Sequence, residues 1–346
     1  MILKDKQRYN NMEEAARRYS KKTILITGSS GFIGSSLARA FFDIDCHLLL
    51  LDINGRIDVP RNVISSVKFI KGDVTRESTW KHSLRGVDFV FHLAALEYAR
   101  SNFDIYKDLN INVLAVISLL EVCRINNYKG RIIFSSSANL FGLTTFLPVN
   151  EKVESRPVSL WSAHKLLAEN YFNIYAAKYG IRAVILRLTN IYGPAYNKKA
   201  ADNAVINRVI ADALAGRNLC LYRNSDCRRD YLYIDDVVRG FLLAGISAGE
   251  LPEKGYYVIG SGKGIAISQA WKIVTHEVER KIGLKVKIRM NRKIKLEPFD
   301  CRNFVADSRL FSEITGWKSL TVFKNGIRST VASMLSFRSN YGSKKQ

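Results

Sequence analysis

Thr23-Ile24-Leu25-Ile26-Thr27-Gly28-Ser29-Ser30-Gly31-Phe32-Ile33-Gly34-Ser35-Ser36-Leu37-Ala38-Arg39-Ala40 is the stretch that decides the fold. TILIT reads as a buried strand, GSSGFIG as a turn, and the residues from Ser35 as the start of a helix. A glycine-rich turn becomes a dinucleotide-binding signature only between a strand and a helix, which is its setting here. Gly28 permits the tight turn, Gly31 lets the backbone approach a pyrophosphate, and Gly34 allows close packing of helix on strand. Phe32 and Ile33 complete the turn. The helix start then offers free N–H groups and the positive end of its dipole to an anion.

Working outward, His47–Asp52 (HLLLLD) is a second buried strand, and it ends on Asp52, 18 residues after Gly34. A carboxylate there accepts hydrogen bonds from both ribose hydroxyls of NAD and repels a 2′-phosphate. Arg56 is close enough in sequence to ease such a phosphate, so NAD is the preferred cofactor with NADP left open. VKFIKGD, DFVFHLAA, RIIFSSS and AVILRLT are further short apolar runs, separated by helical patterns such as 104–127 and 162–180. Strands alternating with helices imply an α/β fold, a Rossmann-like doubly wound parallel sheet covered on both faces. After about Tyr192 the alternation loosens into a smaller mixed α/β substrate lobe that weaves partly back into the first. The expected division is a basic N-terminal arm over 1–21, read as a short helix or loose arm outside the core. An NAD-binding Rossmann domain over 22–190, a second lobe over 191–337 and a basic C-terminal tail over 338–346 complete it.

The chain has 346 residues, of which 47% are hydrophobic, enough for a large domain and a lobe. No apolar run approaches the ~20 residues that cross a bilayer, and the first 22 residues lack the apolar segment of a secretory signal. A cytoplasmic protein without integral membrane association is expected. Cys46, Cys123, Cys220, Cys227 and Cys301 are odd in number and form no C-x-x-C, against a disulfide framework or zinc site. The histidines lack ligand spacing, and no metal is expected. With 53 basic and 31 acidic residues the net charge is +22, concentrated locally at 281–295. Such charge attracts nucleic acid, anionic membrane or anionic small molecules. No nucleic-acid signature accompanies it, so the expected role is a solvated surface that steers a phosphorylated substrate, with no nucleic-acid partner.

The spacing Gly28-x-x-Gly31-x-x-Gly34, together with the motifs C-terminal to it, resembles the extended short-chain dehydrogenase/reductase family, the nucleotide-sugar epimerases and dehydratases. The resemblance runs from about Lys22 to Leu335. Gly72-Asp73-Val74 matches the family's segment at the adenine, where the resemblance puts Asp73 against the exocyclic amine. His92-Leu93-Ala94-Ala95 matches the strand end that lines the cofactor. Asn112 matches the helix asparagine of N-V-x-G-T; by itself it reads as an ordinary polar helix position.

Catalysis in this family uses a serine or threonine, a tyrosine, and a lysine four residues later that binds the nicotinamide ribose and lowers the phenol's pKa. Ser135-Ser136-Ser137-Ala138-Asn139-Leu140-Phe141-Gly142 is similar to S-S-S-x-x-V-Y-G, which puts Ser137 at the catalytic serine. Pro157 to Glu169 resembles P-x-S-x-Y-G-x-S-K-x-x-A-E. Lys165 is in place, but Trp161 holds the tyrosine position. An indole N–H donates a hydrogen bond and does not titrate near neutral pH, so Trp161 is no general base. Three consequences stay open: another group such as His164 supplies the proton path, the chemistry needs no phenol base, or the protein binds without turnover. The Asp-Glu pair of family 4,6-dehydratases is Ala138-Asn139 here, which disfavours dehydration.

Arg187 to Pro194 resembles R-x-x-N-V-Y-G-P, Arg229 to Val237 resembles R-D-F-x-Y-V-D-D-V, and Pro298 to Arg302 resembles P-G-D-x-R. The resemblance implies that Asn190, Arg229 and Arg302 contact a substrate diphosphate. Arg223 replaces a usual glycine beside the nucleotide base, leaving the base open. The expected function is NAD-dependent modification of a nucleotide-sugar at a sugar carbon, most often as epimerization, in carbohydrate biosynthesis. The competing expectation is a catalytically inactive binding or regulatory member. A homodimer through the helices around Asn112 and Lys165 is implied by the resemblance.

Overall fold

The computed structural model describes residues 13–54, 57–97, 104–196, 204–247 and 255–342. Along the chain, a helix over 13–19 (α1) leads into β1 (Thr23–Thr27), α2 (Phe32–Phe41), β2 (His47–Asp52), β3 (Ser66–Lys71), α3 (Glu77–Ser83) and β4 (Phe89–His92). α4 (Ile105–Leu109) passes through one π turn, Asn110–Leu114, into α5 (Ala115–Ile125). Next come β5 (Arg131–Ser137), α6 (Leu160–Tyr179), β6 (Arg182–Leu188), β7 (Asn190–Tyr192), α7 (Val205–Leu214), β8 (Leu219–Leu221), β9 (Arg228–Tyr233) and α8 (Ile234–Ile246). The chain closes with β10 (Tyr256–Ile259), β11 (Gly264–Ala266), α9 (Ile267–Ile282), β12 (Ile288–Met290), α10 (Arg309–Thr315) and α11 (Phe323–Gly342).

Among the described residues one parallel sheet of seven strands runs β10-β6-β5-β4-β1-β2-β3. Its order reverses between β1 and β4, where Thr27 pairs in register with His92. A crevice outside the carboxyl ends at such a reversal is where open α/β sheets bind ligands. Side chains alternate across the strands. Ile24, Ile26 and Leu50 join Leu37, Phe41 and Phe241 in one core, while Leu25, Leu51 and Val90 join Trp80, Leu119 and Phe172 in another. Helices therefore cover both faces, as the sequence pattern requires. β10 lies within the stretch read as the lobe, yet it forms the edge of the main sheet beside β6. The lobe's own sheets are β11-β9-β7 and β12-β8.

The N-terminal arm needs a correction. Residues 13–19 form a helix inside the core: Ala15 and Tyr19 are fully buried. They stand one helical turn apart and make a narrow apolar stripe that the surrounding charges mask in a compositional reading. Tyr19 Oη donates to the Leu242 carbonyl at 2.8 Å, and its ring meets Phe41 and Phe89 edge-on. The first 12 residues of the arm lie outside the described ones. At the other end, α11 continues to Gly342, into the stretch read as a tail. Among the described residues no helix is long and apolar enough to cross a membrane.

Candidate functional site

The glycine turn sits at the sheet's reversal point. Gly28 has φ +65°, and a Cβ there would lie 2.8 Å from the Ala94 amide nitrogen. A Cβ on Gly34 would collide with the Gly28 carbonyl. Gly31 starts α2 with no side-chain cap, so the first-turn N–H groups remain available to an anion. Phe32 and Ile33 form that first turn, half-buried. Asp52 ends β2 and accepts from the Ser30 amide at 3.0 Å and the Asn54 amide at 2.9 Å, one bond per oxygen. An ionised carboxylate has about four acceptor positions, so capacity is left for a ribose. Asp73 folds back on Thr75, accepting from its amide at 2.9 Å and its hydroxyl at 2.8 Å, and Val74 beside it is buried. A cradle closed to any Cβ, beside an uncapped helix start and a carboxylate, fits a dinucleotide. Arg56 lies outside the described residues.

At the end of β4, Thr27 Oγ1 accepts from the amides of Leu93 and Ala94, both at 3.2 Å. The same hydroxyl shares a hydrogen bond with His92 Nδ1, 2.8 Å away. Burial, aided by the Lys165 charge, pushes the His92 pKa down to about 3, so the ring is neutral. This network fixes Leu93 and Ala94 against the glycine turn.

The next residue, Leu96, gathers three elements. Its amide donates to Asn112 Oδ1 at 3.2 Å, and its carbonyl accepts from Asn112 Nδ2 at 3.1 Å. The same carbonyl accepts from Trp161 Nε1 at 2.7 Å. Asn112 Nδ2 also donates to the buried Asp108, whose other oxygen is 2.9 Å from His164 Nδ1. Trp161, Asn112 and His164 are thus brought together, on a backbone group no sequence motif marked. Asn112 is 2% exposed; its side chain holds the Leu93–Leu96 segment in place of projecting openly toward a ligand. The π turn carrying it supplies that geometry, consistent with the tendency of such turns to occur at functional positions.

α6 turns two charged residues inward. Its N-cap Ser159 accepts from the Ser162 amide at 3.2 Å. Lys165, 3% exposed, donates from Nζ to the Ser135 carbonyl at 2.7 Å, with the Phe134 ring centroid 4.1 Å away. Burial lowers its pKa to about 8, against the opposing pull of Glu169 and Asp108. Glu169, one turn on, meets the fully buried Arg187 through a 2.6 Å contact, and Arg187 also bonds Ser155 Oγ. This pair locks α6 to β6. The quoted motifs contain both residues, but their pairing across 18 positions was not legible. Ser137, at the end of β5, is half-buried and accepts from the Asn139 amide at 3.1 Å.

On the lobe side, Arg302 donates to the Gly142 carbonyl at 3.1 Å and to Asn139 Oδ1 at 2.6 Å. Arg229 donates to the Arg302 carbonyl and, at 2.6 Å, to the Asp300 carbonyl. Asn190, exposed, donates to the Asp230 carbonyl at 3.0 Å. Ser137, Arg302, Arg229 and Asn190 are therefore linked by short steps across the gap between sheet and lobe. Arg223 is exposed. Among the described residues no cluster of histidine, cysteine or carboxylate groups could hold a metal ion.

A glycine cradle at the reversal of a parallel sheet, faced by an arginine-bearing lobe, defines a two-lobed dinucleotide-binding protein of Rossmann type. The chain belongs to the NAD dependent epimerase/dehydratase family, whose model matches residues 24–260, and NAD is accordingly its cofactor. It is 28% identical over 311 residues to a protein named putative UDP-glucose 4-epimerase of Methanocaldococcus jannaschii, covering 89% of this chain and 97% of that one. Among solved structures it resembles a UDP-N-acetylglucosamine 4-epimerase from Methanobrevibacter ruminantium in complex with UDP-N-acetylmuramic acid. That likeness has 27% identity and a TM-score of 0.80, and covers 92% of this chain and 99% of the other. A Thermus thermophilus UDP-glucose 4-epimerase in complex with NAD matches at 26% identity and TM-score 0.77, over 90% and 99% of the two chains.

Proposed function

We propose that the protein uses NAD to modify a nucleotide-sugar at a sugar carbon, as an epimerase that works without a phenol base. The observation that carries this reading is the linked set Ser137, Arg302, Arg229 and Asn190, with Ser137 at the carboxyl end of β5 and Asn190 just past that of β6, the end of the sheet that also bears the glycine turn. Relatives that bind UDP-sugars lend it weight. When bound, NAD supplies a reversible hydride acceptor. Gly28, Gly31 and Gly34 with Phe32 and Ile33 hold its pyrophosphate. Asp52 takes the ribose hydroxyls, while Asp73 and Val74 face the adenine. Leu93, Ala94 and Ala95 line its path, and Asn112 acts on that lining through Leu96. Arg229, Arg302 and Asn190 bind the substrate diphosphate, releasing some of their present carbonyl contacts to do so. Ser137 donates a hydrogen bond to the reacting sugar oxygen. Ala138 and Asn139 offer no acid–base pair for a 4,6-elimination.

Trp161 spans from α6 to the Leu96 carbonyl and holds the cofactor wall; it moves no proton. His164 is turned toward Asp108, which supports a packing role. Lys165 is buried in the same motif, and with a pKa near 8 it exchanges a proton close to neutral pH. In this reading Lys165 binds the ribose and its free base takes the proton, so turnover rises with pH through about 8. The second reading, binding without turnover, draws on the Trp161–Leu96 bond, which turns the only donor at the tyrosine position toward backbone. Trp161→Tyr separates the two: a working phenol-free site loses turnover at least several-fold, whereas a gain of turnover supports the binding-only reading. The exposed apolar side chains Leu114, Leu167 and Ile174 on the π turn and α6 support a homodimer through these helices.

A further inference from the structure

The +22 charge is only partly used by the site above. The remainder has a focus at the opposite edge of the sheet. A cavity of about 1080 Å³ opens at the amino ends of β1, β4, β5 and β6, lined by residues that include Lys22, Phe89, Arg131 and Arg182. The glycine turn comes directly after the carboxyl end of β1. Five residues of strand rise roughly 3.3 Å each, so the two places are about 15 Å apart at the least.

Eight basic side chains line the cavity, and Asp88 is the one carboxylate among the lining residues. Three of the eight have carboxylate partners: Arg18 with Glu14, Lys22 with Asp88 and Lys81 with Glu77. The C-terminal ends of α1, α3, α5 and α8 also come to this edge. Each such end carries roughly half a negative charge, and together they offset about two more. Among the described residues Arg17, Arg85, Lys129, Arg131 and Arg182 thus carry five charges without a carboxylate partner, and after the helix ends are counted an excess of about three remains.

The excess is placed, not scattered. Arg131 and Arg182 begin neighbouring strands and are direct register partners, so their backbones stand about 4.8 Å apart. Arg131 is held by the Gly245 and Ser247 carbonyls. Burial and the adjacent Arg182 lower its pKa, as expected of like charges crowded together. Arg85, Lys129 and Arg182 are exposed toward the opening. Crowded guanidinium groups around a concavity favour a compact multivalent anion, because they bind phosphate oxygens in pairs. The volume matches whole small molecules, whose sites span about 300–1,000 Å³. A duplex nucleic acid would need a basic stripe along an open face.

We propose that this cavity is a second anion site, separate from the dinucleotide and sugar sites, that takes a small molecule carrying two or more linked phosphates. Inorganic polyphosphate and nucleoside polyphosphates share this chemistry. The test is calorimetric titration of the full chain, saturated with NAD and UDP-glucose, with inorganic tripolyphosphate and separately with ATP. One molecule bound per chain is expected. Tripolyphosphate and ATP binding alike indicate recognition of the phosphates alone; binding of ATP tenfold tighter identifies a nucleoside polyphosphate. Arg85→Glu with Arg182→Glu is expected to weaken binding at least tenfold, and Lys129→Glu alone at least threefold. Lys285→Glu with Lys287→Glu, in the basic stretch elsewhere, changes it less than twofold. NAD binding by the same samples reports that each variant is folded. The proposal is overturned by absence of binding, by equal losses in the two double variants, or by binding only to an RNA duplex.

Discussion

At the residue scale, Trp161 and Lys165 decide what the site can do. The sequence already showed that an indole cannot replace a titrating phenol. It did not show where the indole goes, because its partner is the carbonyl of Leu96, 65 positions away. Trp161→Phe keeps an aromatic side chain, though a smaller one, and removes the N–H. The expected cost is about 1 kcal/mol, read as a lower denaturant midpoint with unchanged slope. Lys165 makes a separate prediction. Its folded pKa, about 8, lies below the ordinary 10.5. Below pH 8 both folded and unfolded chains carry the charge, and burying it costs its full penalty. Between pH 8 and 10.5 the unfolded chain binds more protons, so this penalty fades as pH rises. Lys165→Met should therefore raise stability by on the order of 2 kcal/mol at pH 7, with the gain shrinking toward pH 10.5. The same variant should lose turnover. Denaturant midpoints across that pH range check the first statement, and a gain that grows with pH would sink it.

At the element scale, the glycine turn was legible because its role is local: strand, turn and helix are contiguous. The structure adds what the glycines avoid, Ala94 from β4's end and the Gly28 carbonyl itself. Gly34→Ala must displace the turn from α2, and the expected result is protein that purifies without NAD and melts several degrees lower; retained NAD would contradict the packing argument. The π turn at Asn110–Leu114 was not legible, since 3.6-residue periodicity carries straight through it. Only the Asn112–Leu96 and Asn112–Asp108 bonds reveal its use. The packing of α1 on the core is hidden in the sequence for a related reason. Two buried residues, Ala15 and Tyr19, are outnumbered by charges that face solvent. Tyr19→Ala removes a fully buried ring and should cost about 3–5 kcal/mol, by the shift in its unfolding transition.

At the scale of the whole molecule, strand alternation gave the doubly wound sheet because parallel strands buried on both faces read as short continuous apolar runs. β10 returns to the main sheet's edge, and no local pattern names its partner β6. The residues proposed for the diphosphate were legible one motif at a time; their linkage through Asn139 depended on long-range contacts such as Arg302 to Gly142, 160 positions apart. The apolar faces of the π turn and α6 carry a prediction of their own. Leu167→Asp should convert a dimer into monomers by light scattering, whereas an unchanged mass would remove that surface from the assembly.

The chemistry of the site turns on catalysis without a phenol. Its most direct test is to incubate the purified, NAD-loaded protein with UDP-, GDP-, CDP- and dTDP-sugars in turn and to identify products by NMR. At least one nucleotide-sugar is expected to be converted to its epimer, faster as pH rises through about 8. Binding of NAD and nucleotide-sugar with no conversion of any member of the panel would contradict it.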